Sequence, residues 1–236
     1  MDAFPADDIM QALAAENNLA ETAFIVGDNG EYQLRWFTPT VEVPLCGHAT
    51  LASAAVIMER LEPKRKSVVF HTASGALLVR REGNHFVLDF PVHSIVSMNE
   101  PEGLAEAIGA KVNDVVGYAG NYLALLSDAD AVRNLTPDFT KIEALGCTGV
   151  AVTASGDAGY DFVSRYFAPA RGIPEDPVTG GAHCALVPYW AAKLAKTEFR
   201  AFQASKRGGE ITCRLAGDRV EMEGSVAFYL EGKVEF

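Results

Sequence analysis

The segment Arg35–Pro39 reads RWFTP and recurs later in the chain as RYFAP at Arg165–Pro169. After each copy come a short loop, a glycine turn and a strongly apolar stretch. The first turn is Pro44–Thr50 (PLCGHAT) and the second is Glu175–His183 (EDPVTGGAH). Because an internal repeat reveals the architecture of a chain, this sequence predicts two similar halves.

The apolar stretches Ala49–Leu61 and Ala182–Ala195 are apolar nearly all round, which is typical of buried helices. Around them the sequence alternates apolar and polar residues between Gly, Asn and Asp turns, as β-hairpins do. The predicted fold class is α+β, with two pseudo-symmetric halves. Each half is a mostly antiparallel sheet rolled around a buried central helix.

One element lacks a counterpart. The second half has a strand pattern at Gly120–Ser127 before its first helix, at 137–145, whereas the first half starts directly at the helix Asp7–Asn17. The sequence therefore predicts that the first half lacks its opening strand. We expect a first domain at residues 1–98 and a second at 99–236, with the final strand able to pack back on the first domain.

The bulk composition excludes several classes of partner. The 236 residues carry a net charge of −11, which argues against nucleic acid and anionic membranes. We find no signal peptide and no apolar span of about 20 residues, so we expect a cytoplasmic protein. Neither a zinc pattern nor a nucleotide-binding glycine motif is visible, and no metal is expected. The four cysteines, predicted to be free thiols, are Cys46, Cys147, Cys184 and Cys213.

Both apolar helices begin at a glycine turn, so their free N–H groups and positive dipole ends point at whatever lies before the turn. Two such N-termini facing one another would form a pocket for an anion such as a carboxylate. The residues predicted to bind substrate there are Gly47, Ala49, Thr179, Gly180, Gly181 and Ala182.

His48 and Asp176 are the candidate proton-carrying groups of the two turns. An imidazole at a helix start can donate or accept a proton, and we expect the helix dipole to lower its pKa. For both residues a local capping or packing role is the alternative, since Asp is favoured at caps and turns. Glu175 is predicted to be a solvated neighbour of Asp176.

Cys46 precedes the first helix, where a thiolate is stabilised, and would suit a racemase base. The matching position in the second turn is Thr179, which cannot serve as the second base, so a catalytic Cys46 is disfavoured. On pattern alone Glu21 is an exposed residue at a helix end. The remaining residues predicted to be structural are Cys184, His71, His85, His93 and His183.

Together these motifs resemble the phenazine-biosynthesis PhzF-like family. The resemblance covers the whole chain and rests on Asn18–Phe24 (NLAETAF), Arg35–Pro39, Cys46–Thr50 (CGHAT) and Glu175–Gly180 (EDPVTG). It implies the diaminopimelate-epimerase-like fold, which proline racemases share, with an active site in the cleft between the halves. It also implies that no cofactor is needed and that the protein is a homodimer.

By the same resemblance, Glu21 is the proton-shuttling acid/base, and His48 and Asp176 assist in binding and proton transfer. The phenazine-forming member isomerises a dihydro-hydroxyanthranilate. Two departures separate this chain from the family pattern: Gly181 stands where Ser is usual, and the opening strand with its Gly-Asn motif is missing. The resemblance therefore implies an isomerase without fixing the phenazine substrate.

We expect a cofactor-independent isomerase that moves a proton on a small carboxylate-bearing metabolite. A racemase that uses Cys46 is one alternative. A non-catalytic binding protein on the same scaffold is the other, because fold alone does not determine function.

Overall fold

The computed structural model describes residues 3–233. Within this range, fifteen strands form one mixed sheet and six α-helices pack against it. This arrangement confirms the predicted α+β fold class. In the first half the elements are α1 (Asp7–Asn17), β1 (Thr22–Asp28), β2 (Glu31–Phe37), β3 (Glu42–Val43), α2 (Gly47–Val56), β4 (Ser67–Thr72), β5 (Gly75–Glu82) and β6 (His85–Pro91).

The second half adds strands before the repeated unit. Its elements are β7 (Val96–Ser97), α3 (Leu104–Ile108), β8 (Asp114–Tyr118), β9 (Asn121–Leu125), α4 (Ala129–Arg133), α5 (Phe139–Ala144), β10 (Val150–Ser155), β11 (Phe162–Ala168), β12 (Ile173–Asp176), α6 (Gly180–Leu194), β13 (Glu198–Gln203), β14 (Gly209–Ala216) and β15 (Arg219–Gly224).

The repeat seen in the sequence is a repeat of strand pairing. The sheet runs in the order β1-β2-β4-β5-β6-β15-β14-β13-β11-β10-β9-β8-β7. In each half an antiparallel pair (β1 with β2, β10 with β11) is followed by a parallel pairing (β2 with β4, β11 with β13) and then by a hairpin. The short strands β3 and β12 pair with β2 and β11 in the same way.

The last strand of each half joins the two halves. Strand β15 pairs antiparallel with β6, with Met222 opposite Leu88 and Glu221 opposite Asp89. Since every backbone group in this seam is paired within one sheet, the two halves are fixed relative to one another. The loops at the start of α2 and α6 therefore face each other across a defined gap.

The two halves differ at one edge. Strand β9 pairs in parallel with the outer side of β10. Among residues 3–233 no strand pairs with the outer side of β1, which ends the sheet. Within the described residues, the first half therefore shows no counterpart of β9, in line with the repeat.

The two central helices differ in how fully they are buried. Helix α6 is buried over most of Gly180–Trp190, in line with its apolar sequence. Helix α2 buries Ala49, Ala54 and Ala55, but Val56 is 37 % exposed. It ends earlier than the predicted Leu61, and Ile57–Leu61 forms a π-helical turn instead.

Each repeated arginine holds its strand to the short strand that follows it, β3 in the first half and β12 in the second. Arg35 Nε lies 2.8 Å from Glu42 Oε1, and Arg165 Nε lies 2.6 Å from Glu175 Oε1. Glu175 also accepts a second hydrogen bond from Arg165, and its side chain is only 19 % exposed. The prediction that Glu175 is a solvated neighbour was therefore wrong, because it is the partly buried counter-ion of Arg165.

Two further predictions can be compared directly with the structure. All four cysteines are free and buried, which confirms that they form no disulfides. In the described part of the chain, no helix combines the length and hydropathy required to cross a membrane.

Candidate active site

The N-termini of α2 and α6 meet between the two halves. A methyl group built on Gly47 would lie 3.0 Å from the Cα of Gly180, and one built on Gly180 would lie 3.1 Å from the Cα of Gly47. Only glycine allows the two helix starts to approach this closely. The starts of both helices, with their unpaired N–H groups, consequently lie side by side, as the repeat predicted. That they bind an anion stays a prediction.

This contact yields a stability prediction with a matched control. Gly180→Ala should destabilise the protein by about 1–3 kcal/mol, because the new methyl group meets the backbone of Gly47, which cannot give way. Gly181→Ala is the control, since its methyl group would meet only Leu45 Cδ2 at 3.8 Å. Urea unfolding of both variants compares the two effects, and equal free energies of unfolding would contradict the close contact.

Glu21 reaches this point from the start of β1. Asn18 ends α1 in the left-handed conformation with φ 47°, which Asn tolerates better than most residues. The chain then turns and brings the Glu21 side chain, 8 % exposed, to 3.0 Å from His48 Nε2. The prediction from pattern alone, an exposed residue at a helix end, is contradicted, whereas the family resemblance pointed to Glu21 as a site residue.

His48 lies between Glu21 and Cys46. The Cys46 sulfur is 3.7 Å from His48 Nδ1 and 3.8 Å from Nε2. Burial alone would lower the pKa of His48, but Cys46 and Glu21 raise it well above its usual value. Since burial raises the pKa of the Cys46 thiol, we hold the Glu21 carboxylate responsible. The expectation that the helix dipole lowers the pKa of His48 was wrong, because a carboxylate in contact outweighs a partial charge.

Asp176 lies at the end of β12, and its side chain is held on one side only. Its Oδ2 accepts a hydrogen bond of 2.6 Å from Thr179 Oγ1, while its Oδ1 is buried without a partner. Burial raises the pKa of Asp176 to about 6, although His48 acts in the opposite direction. An orphaned carboxylate oxygen with a pKa near neutrality is what a proton-handling group needs.

Gln203 fixes the loop between Asp176 and α6, and the sequence did not single it out. Its side-chain amide donates to the Asp176 carbonyl at 2.8 Å and to Thr179 Oγ1 at 2.9 Å. Its Oε1 accepts from the Thr179 amide at 2.7 Å. Thr179 is thus committed to holding Asp176 and carries no free hydroxyl proton toward the cavity.

These groups surround a cavity of about 240 Å³ between the halves. Of the residues predicted to bind substrate, Ala49 does not line it; those that do are Gly47, Thr179, Gly180, Gly181 and Ala182. Glu21, Cys46, His48 and Asp176 line it as well. Two buried side-chain atoms of the lining, Asp176 Oδ1 and Tyr118 Oη, have neither a hydrogen bond nor an ion-pair partner. Glu21 Oε2 also makes no hydrogen bond of good geometry, but it lies 3.0 Å from His48 Nε2. Buried polar atoms are normally paired, so the two atoms without a partner indicate where a ligand would bind.

Several lining residues were missed by sequence reasoning. Tyr118 and Asn121 flank the turn between β8 and β9, and Tyr166 donates a 2.8 Å hydrogen bond to Asn121 Oδ1. Tyr166 belongs to the repeated Arg-aromatic-Phe motif, and this motif was the one sequence signal that could have placed any of these residues at the site. His93 also lines the cavity, although it was predicted to be structural, and burial lowers its pKa.

Ligand atoms of Glu21, Cys46 and His48 all lie within 4.8 Å of one another. Oxygen, sulfur and nitrogen donors of this kind suit zinc. The sequence, which contains no zinc-binding pattern, gave no indication of this cluster. The raised pKa of the buried Cys46 thiol opposes metal binding, because a ligating thiol must lose its proton.

His183 is structural, in line with its prediction. It is fully buried in α6, and its Nδ1–H donates to the Thr179 carbonyl at 2.8 Å. Burial lowers its pKa to about 4, so it is neutral near pH 7.

Comparison with known proteins identifies the chain. A model of the phenazine biosynthesis-like protein family matches residues 5–233. The chain belongs to the phenazine biosynthesis-like family. An uncharacterized isomerase of this type from Pseudomonas aeruginosa is 47 % identical over 98 % of this chain and 89 % of its own length.

Solved structures agree with this assignment. The crystal structure of a PhzF-family phenazine biosynthesis protein from Enterococcus faecalis is 39 % identical, with a TM-score of 0.92 over all of this chain and 90 % of that one. A probable proline racemase from Agrobacterium radiobacter shares only the fold, at 12 % identity and a TM-score of 0.62 over 97 % of this chain and 82 % of its own. The predicted family and fold are thereby confirmed, and so is the predicted enzyme class, since relatives of the phenazine biosynthesis-like family are named isomerases.

Proposed function

We propose that this isomerase moves one proton between two carbons of a small carboxylate-bearing metabolite that is unsaturated or cyclic. The observation that carries the proposal is a pair of buried carboxyl groups that line one cavity: Glu21, whose Oε2 is ion-paired with His48, and Asp176, whose Oδ1 has no partner. Two buried carboxyl groups beside two helix N-termini supply both a proton carrier and a site for negative charge.

The reaction needs proton removal, stabilisation of the developing charge and proton return, and groups already in the site can carry out all three. Glu21 removes a proton from one carbon, and the electron pair passes into the conjugated system toward the substrate carboxylate. The N–H groups at Gly47 and Gly180 stabilise the charge that develops on oxygen. Glu21 then returns its proton to a second carbon. Because the same proton leaves and comes back, substrate and product are isomers with no net redox change, so the proposal invokes no cofactor.

His48 and Asp176 prepare the site. His48, with its pKa raised by its neighbours, keeps a positive charge 3.0 Å from Glu21 Oε2 and so orients that carboxylate. Asp176 presents its free oxygen from the opposite half and polarises a donor group of the substrate. These roles agree with those that the family resemblance implies.

A racemase reaction based on Cys46 is disfavoured by the geometry. Burial raises the pKa of the Cys46 thiol, which keeps sulfur protonated and a poor base. At the matching position of the second turn, Thr179 is bound to Asp176 and Gln203, so it cannot serve as the second base. The names of its relatives favour an enzyme over the binding-protein alternative.

The proposal is tested by a screen in deuterated water. The protein is incubated with unsaturated and cyclic carboxylic acids, and proton NMR follows the exchange of carbon-bound hydrogen. We expect at least one acid to isomerise and to take up solvent deuterium at carbon over many turnovers, as the Glu21 proton exchanges with water between turnovers, and we expect Cys46→Ser to retain both. Loss of exchange in Cys46→Ser would support the racemase instead.

The homodimer stays a prediction. Light scattering should give a molar mass twice that of one chain.

A further inference from the structure

Two arginines differ from all the others in this acidic protein. The sequence contains twelve arginines, and ten of them form ion pairs with Asp or Glu. The paired ones are Arg35, Arg60, Arg65, Arg80, Arg81, Arg133, Arg165, Arg200, Arg214 and Arg219. Within residues 3–233, Arg171 and Arg207 have no ion pair. Arg207 is exposed on the loop between β13 and β14, where water solvates it.

Arg171 is half-buried and lines the active-site cavity. It ends the short 3-10 turn Pro169–Arg171 at the tip of the β11–β12 hairpin. On this hairpin Asp176 pairs with Tyr166, and Ile173 pairs with Ala168. At about 3.3 Å per strand residue, the backbone of Ile173 lies about 10 Å from that of Asp176, and Arg171 lies beyond Ile173 at the tip of the hairpin.

A second polar group without a partner lies near Arg171. The hydroxyl of Tyr118 is buried, lines the same cavity and makes no hydrogen bond. Burial raises the pKa of Tyr118 well above its usual value, and the Arg171 cation works against that rise. Both groups line the same cavity, so one ligand can contact both.

The lining of the cavity thus includes two sets of polar groups. The first set is Glu21, His48, Asp176 and the two helix N-termini. The second set is the Arg171 cation, carried by the hairpin tip, and the Tyr118 hydroxyl. An arginine withdrawn from water without an anion is costly, and a planar guanidinium matches a carboxylate in a two-pronged pairing. Tyr118 can donate its hydroxyl proton to the same group.

We propose that Arg171 and Tyr118 form a subsite for a second carboxylate, so that the natural substrate is a dicarboxylate. One carboxylate lies at the N-termini of α2 and α6, and the other is bound by Arg171. This inference rests on the proposed function, which assigns proton transfer and carboxylate binding to Glu21, His48, Asp176 and the helix N-termini. It adds the class of substrate. The reacting carbons then lie between the two carboxylates, within reach of Glu21.

Binding of simple acids tests the subsite without any turnover. Calorimetric titration compares succinate, glutarate and adipate with butyrate, pentanoate and hexanoate, which have the same chain lengths. Since a hydrogen-bonded charge contact is worth about 1.5–3 kcal/mol, we expect at least one dicarboxylate to bind about tenfold tighter than its monocarboxylate. Arg171→Gln should abolish this preference while leaving the monocarboxylate affinity unchanged.

Three variants separate the subsite from general electrostatics. Arg207→Gln removes the other arginine without an ion pair and should leave the preference intact. Arg171→Lys should keep part of the preference, because the lysine ammonium retains the positive charge but cannot form the two parallel hydrogen bonds of a guanidinium. Tyr118→Phe should weaken dicarboxylate binding by a smaller factor than Arg171→Gln. Arg171 contributes no hydrogen bond to the described fold, so Arg171→Gln is expected to unfold like the wild type.

The outcomes distinguish this inference from the proposed function. If no dicarboxylate binds more tightly than its partner, or if Arg171→Gln weakens both classes equally, the second subsite is refuted even when proton exchange occurs. The same conclusion follows if Arg207→Gln has the effect of Arg171→Gln. If the preference exists and depends on Arg171 but no acid exchanges its protons, the subsite stands and the isomerase mechanism fails.

Discussion

Glu21→Gln is expected to slow the exchange of carbon-bound hydrogen by about 10²–10⁴-fold, the usual contribution of a positioned acid or base. Glutamine keeps the shape of the side chain but can neither take nor return a proton. The Glu21 side chain is only 8 % exposed, so a water molecule cannot readily replace it. The rate is followed by proton NMR in deuterated water on any acid that the wild type exchanges.

The control for this experiment is Glu16→Gln, which neutralises an exposed carboxylate on α1. It should exchange as fast as the wild type. Near-ultraviolet circular dichroism should show the same tertiary packing for both variants. Wild-type exchange rates in Glu21→Gln would show that another group carries the proton.

Asp176→Asn should lose activity and gain stability above pH 6. We expect exchange to fall about 10²-fold, because the amide cannot take part in proton transfer. Asp176 is 7 % exposed, and burial raises the pKa of its carboxyl group to about 6 from the ordinary value of 3.8. The wild type therefore bears a buried charge near pH 7 that the variant does not have to bury.

The pH window follows from the two pKa values. Below about pH 4 the carboxyl group is protonated in both the folded and the unfolded chain, so burial of its charge costs nothing. Between about pH 4 and pH 6 the unfolded chain releases its proton first, and the free energy of unfolding of the wild type falls as pH rises. Above pH 6 the penalty is constant, on the order of 3 kcal/mol for about two pKa units.

Urea unfolding across this range measures the effect. The difference in free energy of unfolding between Asp176→Asn and the wild type should grow in favour of the variant from pH 4 to pH 6 and then level off. Asp218→Asn, in the exposed turn between β14 and β15, should show no such growth. A difference that stays flat with pH would mean that Asp176 is not held in a charge-destabilising environment.

Much of the architecture followed from periodic features of the sequence. The Arg-aromatic-Phe repeat predicted equivalent strands, and the all-round apolar stretches predicted the central helices. The early end of α2 was not predicted, because apolar composition does not distinguish an α-helix from the π-helical turn that continues it at Ile57. The exposure of Val56 on α2 was also not predicted, because burial of a helix face depends on which parts of the fold pack against it.

The site was predictable only where a local motif marked it. His48 and Asp176 stand at equivalent glycine turns, and Glu21 was found through the family motif rather than through its own pattern. Tyr118, Gln203 and Arg171 come from other elements and reach the site through sheet pairing and a hairpin tip. Pairing of that kind is long-range, so no local signal in the sequence could place them.

Glu175 and Arg165 illustrate the same limit. From the sequence alone, a glutamate next to the candidate aspartate in a turn was predicted to be exposed to solvent. In the fold its strand pairs with β11, which brings it to the repeated arginine. The repeat did hold a signal for this ion pair, because Arg35 pairs with Glu42 in the equivalent place. The number of residues between arginine and glutamate differs between the two halves, and this difference hides the match.

The central claim is that one buried carboxyl group, Glu21, carries the same proton from one carbon to another. It is tested most directly with a substrate that carries deuterium at the donor carbon, turned over in ordinary water. Since Glu21 is nearly shielded from solvent, we predict that mass spectrometry of the first product formed will show deuterium at the acceptor carbon. Complete loss of deuterium to water in the first turnover would contradict the account, because it would require a second, solvent-exchanging group to deliver the proton.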